Sequence, residues 1–280
     1  MKKFLISTHG FDMGIGGLKV LHKLCHLLNE RGYDAYLIPL DFSQTFGVYD
    51  NYNTKMVTQE VLDNLDDVIV IYPESWYGNY LNAKNVVRWM LGFPSEVHIN
   101  TWKDTDLWFW YLPFYITEKY TKDSDNLLYI GESHRDIFFD RKLERAGSCW
   151  TLRKAQDRIQ PNLWIHPPDS KFIPYHGAGD LVTLSTVFNT SETFFCYDNY
   201  TYLSIQSLLC NTDTVIIPHQ KSASEFFDGF ELNKYLAYGV DDLSRAKSIR
   251  NEFFEHIDLI EKRTIDQLDL FIEKCYDYFN

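Results

Sequence analysis

Several signatures that would assign a chain of 280 residues at a glance are missing from this one. Its five cysteines, Cys25, Cys149, Cys196, Cys210 and Cys275, contain no C-x-x-C pair, which removes the usual zinc-ribbon and thiol-redox spacings. No run approaches the roughly 20 apolar residues of a membrane span. The opening Met-Lys-Lys-Phe-Leu-Ile-Ser breaks at Thr8-His9-Gly10, too early for a signal-peptide core. An odd cysteine count without such a leader fits a reducing compartment, so a cytoplasmic location, bacterial or that of a viral host, is expected. Positive charge is scarce. Against 39 acidic residues stand 27 Lys and Arg, a net charge of −12, which argues against a nucleic-acid backbone as partner. No Gly-Lys-Ser/Thr occurs, so there is no Walker loop, and no G-x-G-x-x-G, so the dinucleotide fingerprint is missing. Short repeats and Pro/Gly/Ser-rich linkers are missing too.

What is present describes a large core. Aromatics make up 16% of the chain, and most must be buried because they carry the largest burial energy per residue. The length suits two domains of about 140 residues each. Hydrophobic periodicity predicts strands at 3–7, 35–40, 68–72, 96–100, 107–112 and 127–130, with helices at 18–30, 56–65 and 82–91. The pattern then restarts, with strands at 147–152, 163–166, 194–197 and 215–217, helices at 179–188 and 200–210, and a helical tail over 241–279. Such βαβ alternation implies parallel sheets with right-handed crossovers. The expected class is therefore α/β with two Rossmann-like domains, 1–142 and 143–280.

Two segments could carry chemistry. Residues 194–218 read as strand, polar turn, helix and strand, and the helix start after a parallel strand offers free N–H groups to a phosphate. The loop Gly10-Phe11-Asp12-Met13-Gly14-Ile15-Gly16-Gly17 follows the first strand and opens the first helix, where Gly14, Gly16 and Gly17 let a ligand approach the backbone. His166-Pro-Pro-Asp-Ser170 follows a predicted strand and is a candidate wall for a base pocket. Other signals are set aside. Asp104-Thr-Asp106 and Asp123-Ser-Asp125 match the D-x-D of metal-dependent transferases, but acidic pairs arise by chance in so acidic a chain. His22 and His26 share a helix face without a third ligand nearby. No metal site is expected.

A resemblance runs through both halves. Gly16-Gly17 opening a helix that ends Leu28-Asn-Glu-Arg-Gly-Tyr-Asp-Ala-Tyr-Leu-Ile38 resembles the N-terminal domain of GT-B-fold glycosyltransferases. So do Val68-Ile-Val-Ile-Tyr-Pro-Glu74 followed by Asn82-Ala-Lys-Asn-Val-Val-Arg-Trp89, the segment from Tyr197 to Pro218, and Tyr235-Leu-Ala-Tyr-Gly-Val-Asp-Asp-Leu243. The resemblance implies an acceptor-binding N-terminal domain, a C-terminal domain that binds the nucleotide sugar, and last helices that cross back to the first domain. It implies transfer from a nucleotide-sugar donor, a UDP-sugar such as UDP-xylose or UDP-glucose, to a glycan hydroxyl in the interdomain cleft. No cofactor and no divalent metal are expected.

The resemblance also assigns roles. The family's two glutamates, separated by seven residues at the donor site, are here Asp198 and Gln206. Gln206 would face the ribose, at the loss of a charge, and the Tyr200 and Thr201 amides the diphosphate. Arg153 and Lys154 match where such enzymes place basic residues on the leaving diphosphate, whose growing charge must be neutralised. If transfer inverts the sugar, a base must take the acceptor proton. Asp12, in the glycine loop, is the first candidate, with Glu74 and His9 beside it, and Arg88 is expected on a helix face supporting Glu74. Trp76, Tyr77 and Tyr80 could stack on sugar rings or fill the core. Two rivals stand: a non-catalytic sugar-nucleotide or glycan-binding protein on the same fold, and an epimerase or phosphorylase, the latter disfavoured by the short chain.

Overall fold

A computed structural model describes residues 2–40, 45–131, 133–155, 164–174, 180–199, 201–219 and 221–280. The chain divides into two compact units, Met1–Glu132 with Ile260–Asn280, and Ser133–Leu259. Residues 133–142 cluster with the second unit and 260–280 with the first.

In the first unit the strands are β1 (Lys3–Thr8), β2 (Ala35–Pro39), β3 (Lys55–Met56), β4 (Val68–Pro73), β5 (Asn85–Met90) and β6 (Leu107–Trp110). They form one parallel sheet in the order β3-β2-β1-β4-β5-β6. Three helices belong between them: α1 (Gly16–Glu30), α2 (Gln59–Asp63) and α3 (Glu96–Ile99). Alternate strand residues go to opposite faces. Phe4 and Ile6 join Leu21, Leu24 and Leu28 of α1, whereas Leu5 joins Val61 of α2. With both faces covered, the strands read as unbroken apolar runs rather than alternating ones.

The second unit holds β7 (Ser148–Thr151), β8 (Lys171–Phe172), β9 (Thr193–Cys196), β10 (Asp213–Ile216) and β11 (Ala237–Tyr238), again all parallel, in the order β11-β10-β9-β7-β8. Its helices are α4 (Leu181–Thr190), α5 (Leu203–Leu209), α6 (Ala223–Gly229) and α7 (Leu243–Ser248). Asp180 caps α4 by accepting the Thr183 N–H at 2.7 Å. Phe188 of α4 meets Phe194 of β9 at 5.1 Å, while Ala246 of α7 packs with Phe195, Val215 and Ala237 on the opposite face. Both strand orders are those of Rossmann-like doubly wound sheets.

The 29-residue helix α8 (Asn251–Phe279) begins in the second unit and ends in the first. Leu268, Phe271, Ile272 and Cys275 join the core on the α1 side of the first sheet, with Phe271 at 5.9 Å from Phe4. Tyr276 donates to the Lys2 carbonyl at 2.7 Å.

Several predicted elements differ from the structure. The segment 82–91 is strand β5 rather than a helix, with all six residues Asn85–Met90 buried. A buried run of Val, Val and Trp has no period to separate the two states, and its β-branched residues favour a sheet buried on both faces. Arg88 consequently sits in a central strand, not on a helix face. Residues 96–100 form α3 instead of a strand. The predicted helix 56–65 shrinks to α2, preceded by β3. Leu127 makes only an isolated bridge to Trp110, and residues 164–166 form no strand, the edge position being taken by β8 at 171–172. The helix placed at 200–210 starts at Leu203, because Thr201 Oγ1 accepts the Leu203 N–H and holds the preceding residues in a turn.

Candidate functional site

In open parallel sheets, ligands bind beyond the carboxyl ends of the strands where the strand order reverses. In the first sheet that point lies between β1 and β4. The register sets Ile6 beside Ile71. His9 follows the end of β1 and Glu74 follows the end of β4. The glycine loop starts here. Asp12 Oδ1 accepts the Gly14 N–H at 2.7 Å, closing an Asx-type turn. Ile15, the residue before α1, supplies no side-chain cap, and the first turn carries no acid. The loop is clasped from one side: the Phe11 N–H donates to the Gly47 carbonyl at 2.8 Å, and a Cβ on Gly10 would lie 2.8 Å from the Gly47 nitrogen. Only glycine permits that approach of two backbones.

His22 supports the same loop from below. It is fully buried, its Nε2 lies 3.0 Å from the His9 carbonyl oxygen, and rings of Phe11 and Phe46 flank it at 5.3 and 5.6 Å. A carbonyl only accepts, so the imidazole proton is on Nε2. Burial pulls the His22 pKa below its ordinary 6.5, against that hydrogen bond, and keeps the ring neutral. His26 Nδ1 accepts the Asn53 N–H at 2.9 Å. Both histidines are engaged in holding the fold.

Glu74 is the carboxyl of this region that burial perturbs. Its pKa is raised from 4.5 by desolvation, against its own N–H and that of Leu91, which donates to Oε2 at 3.0 Å. The other oxygen, Oε1, faces Gly92, where an added Cβ would stand 3.1 Å away. His9 is exposed. Arg88 does not support Glu74. It is fully buried, pairs with Asp106 at 2.8 Å, donates to the Gly78 carbonyl at 2.5 Å, and lies 4.9 Å from the ring centres of both Tyr72 and Trp102. Asp106 is therefore consumed by Arg88, and Asp123 Oδ2 accepts the Trp108 N–H at 2.9 Å. Among the described residues no group of His, Cys, Asp and Glu is arranged to hold a metal ion.

The second sheet reverses between β7 and β9. Beyond β7 come Arg153 and Lys154, and beyond β9 come Asp198 and Asn199. Arg153 is held at φ +44°, a conformation that costs a side-chain-bearing residue about 1–3 kcal/mol. It is close enough to β9 for its charge to oppose the strong upward push of burial and Asp198 on the Cys196 thiol. Lys154 is exposed. Asp198 is buried. Asn199, 8% exposed, closes no hydrogen bond of ordinary geometry through either amide atom, although the Tyr238 hydroxyl is close by. Gln206, 1% exposed, is an interior residue of α5, and its Nε2 likewise finds no acceptor among the described residues. Thr201 caps α5 with its side chain and carbonyl. Tyr200 lies outside the described residues. The seven-residue α5 is too short for much of a dipole, which moves the weight of this region from backbone amides to side chains.

Beside β7 is an aromatic group. Trp150 stacks on His166 at 4.0 Å and touches Trp164 and Phe172 at 4.8 and 4.6 Å, with Trp164 and Phe172 exposed. The Tyr197 hydroxyl accepts the Ile165 N–H and lies 2.9 Å from His166 Nδ1. Giving its own proton to Nδ1 leaves the His166 proton on Nε2, in keeping with a pKa lowered by burial.

The sequence reading missed Asn199 except as a turn residue, and missed Gly92 and Trp150 altogether. Only the position of Asn199, just past a buried strand end, carried a signal. No protein-family model matches the chain, and no curated protein matches it. Among the described residues no helix is long and apolar enough to cross a membrane.

Proposed function

We propose that the chain is a GT-B-type glycosyltransferase that moves a sugar from a nucleotide-sugar donor, a UDP-sugar, to a hydroxyl of a glycan acceptor. One observation supports the reading: two buried amide side chains, Asn199 just past β9 with the Tyr238 hydroxyl beside it and Gln206 within α5, have polar atoms that close no hydrogen bond of ordinary geometry. A buried polar group without a partner costs about 1–3 kcal/mol, so a site that retains two is built for a polar ligand that completes them. A nucleoside diphosphate fits this chemistry. Gln206 would bond the ribose, Arg153 and Lys154 would neutralise the diphosphate, and the Trp164, His166 and Phe172 surface around Trp150 would stack the base.

On the acceptor side Glu74 takes the role of base ahead of Asp12. Each carboxylate accepts one backbone N–H, from Gly14 and from Leu91, but only the Glu74 carboxyl has its pKa raised, by burial. The second reading, a non-catalytic sugar-nucleotide binder, draws on Gln206, which keeps an acceptor but lacks the family's charge.

A thermal-shift panel of UDP-, GDP- and dTDP-sugars, with and without EDTA and Mn²⁺, tests the donor site. A ligand at a hundred times its dissociation constant adds about 2.7 kcal/mol to stability. A selective UDP-sugar shift that survives EDTA supports the reading. No shift with any nucleotide sinks it. UDP release in the presence of a glycan acceptor then separates the enzyme from the binder.

A further inference from the structure

Beside β7 one imidazole is fixed in plane and in tautomer, and one of its nitrogens is unused. The His166 ring is stacked on Trp150 at 4.0 Å, with an interplanar angle of 18°. The hydroxyl of Tyr197, the residue after β9, accepts the Ile165 N–H at 2.9 Å and gives its own proton to His166 Nδ1, also at 2.9 Å. Burial lowers the His166 pKa from its ordinary 6.5, so at neutral pH the ring holds one proton, on Nε2. That nitrogen is not sealed in. His166 is half-buried, and among the described residues its Nε2–H has no acceptor. Reversing the tautomer would take the acceptor away from the Tyr197 proton. The free edge of His166 is therefore a donor and stays one.

We infer that His166 reads the base of the nucleotide donor, its Nε2–H donating to the C4 carbonyl oxygen of uracil. The inference rests on the glycosyl-transfer reading and names the atom that chooses its base. The position suits the role. Trp150 pairs in register with Phe195, two residues before Tyr197, on the same two strands that lead into Arg153 and Asn199. The chemistry suits it too. Uracil and cytosine share a C2 carbonyl, which lies next to the ribose. They differ at C4, on the outer edge of the base, where uracil carries an acceptor and cytosine an amine. A fixed donor completes a hydrogen bond with the first and meets the second donor to donor. Ring packing by itself would hold both pyrimidines equally. A site built to hydrogen-bond one group rejects the analogue that lacks it, because its own polar atom is then left unpaired.

Isothermal titration calorimetry on the full chain tests this directly. The probes are UDP, CDP and the 5′-diphosphate of pyrimidin-2-one ribonucleoside, which keeps the C2 carbonyl and has only hydrogen at C4. UDP is expected to bind about tenfold tighter than either of the others, equivalent to ~1.4 kcal/mol. His166→Phe keeps a flat ring against Trp150 and removes the donor. It should weaken UDP about tenfold, leave the pyrimidin-2-one diphosphate unchanged and so abolish the preference. His166→Gln returns an N–H group and should recover part of it. A melting temperature equal to that of the parent shows that a variant is folded, and the comparison of ligands on the parent protein needs no variant at all. Equal affinity of the parent for all the probes, an undiminished preference in His166→Phe, or equal weakening of every probe in that variant would overturn the inference and leave the donor site standing. Absence of binding by every probe would instead remove the donor site, and the inference with it.

Discussion

The two strand-order reversals are built alike and finished differently. At the β1–β4 point several polar groups have partners within the first unit. Asp12 closes on Gly14, His22 bonds the His9 carbonyl, Glu74 takes the Leu91 N–H, and Gly10 and Gly47 press backbone to backbone. Beyond β7 and β9, Arg153 is held in a strained turn and Asn199 is buried, and in α5 Gln206 is buried with its Nε2 lacking an acceptor. On the proposed reading the first arrangement is preorganised for proton transfer, and the second would gain its last hydrogen bonds from the donor. A proton-transfer group needs the former, because misplacement is costly. A tight-binding pocket for a diphosphate nucleotide can use the latter.

The largest test of that contrast is Glu74→Gln. If the preorganised side performs proton transfer, the substitution should lower turnover by about 10²–10⁴, with the UDP-sugar thermal shift unchanged. Turnover equal to that of the parent protein would remove Glu74 as base and return the role to Asp12 or His9. Next in size is the frame behind it. Asp106→Ala leaves Arg88 buried and unpaired, and should cost about 3–5 kcal/mol in urea unfolding. A loss below about 1 kcal/mol, the level of a surface pair, would mean that Arg88 gains water and that the first unit is less rigid than drawn.

Smaller and more diagnostic is Gln206→Leu. It removes an open buried amide, so the nucleotide-free protein should unfold at the same urea midpoint as the parent or a higher one, while the UDP-sugar shift falls by about 1–3 kcal/mol. Lower stability without nucleotide, together with an unaltered shift, would make Gln206 an ordinary core residue. The smallest effect is in pH. The raised pKa of Glu74 means that the folded protein binds this proton more tightly than the unfolded chain. Its contribution to stability is full below the ordinary value of 4.5 and is lost as pH rises through the raised one. His22, lowered from 6.5, runs the other way: its contribution is full above 6.5 and is lost as pH falls through the lowered value. Urea midpoints across pH should show Glu74→Gln gaining on the parent with rising pH, and His22→Gln gaining with falling pH. Parallel curves would deny that burial perturbs either group.

Much of this could be read along the chain. The strand 3–7, the helix ended by Arg31-Gly32, the strand 68–72 and the unit around 194–218 all follow from apolar runs bounded by turn residues, because burial and backbone geometry there depend on neighbours in sequence. The glycine loop, Glu74, Arg153, Asp198 and Gln206 were visible as residues just past strand ends or at the head of a helix. Segment 82–91 was misread because a fully buried strand and a buried helix look alike over so few residues. The contact of Gly92 with Glu74 gave no signal, since it crosses from the end of β4 to the end of β5.

By itself, then, the sequence determined the α/β class, the parallel character of its strands and the positions where chemistry could stand, for these depend on local periodicity and on turns. Only the tertiary structure decided the two strand orders, which fix where each sheet reverses. It also decided that Arg88 is a buried partner of Asp106, that Glu74 is desolvated beside Gly92, and that Asn199 and Gln206 are interior yet open. The physical reason is the same in each case: desolvation and hydrogen-bond satisfaction are properties of the neighbours that folding brings together from distant parts of the chain.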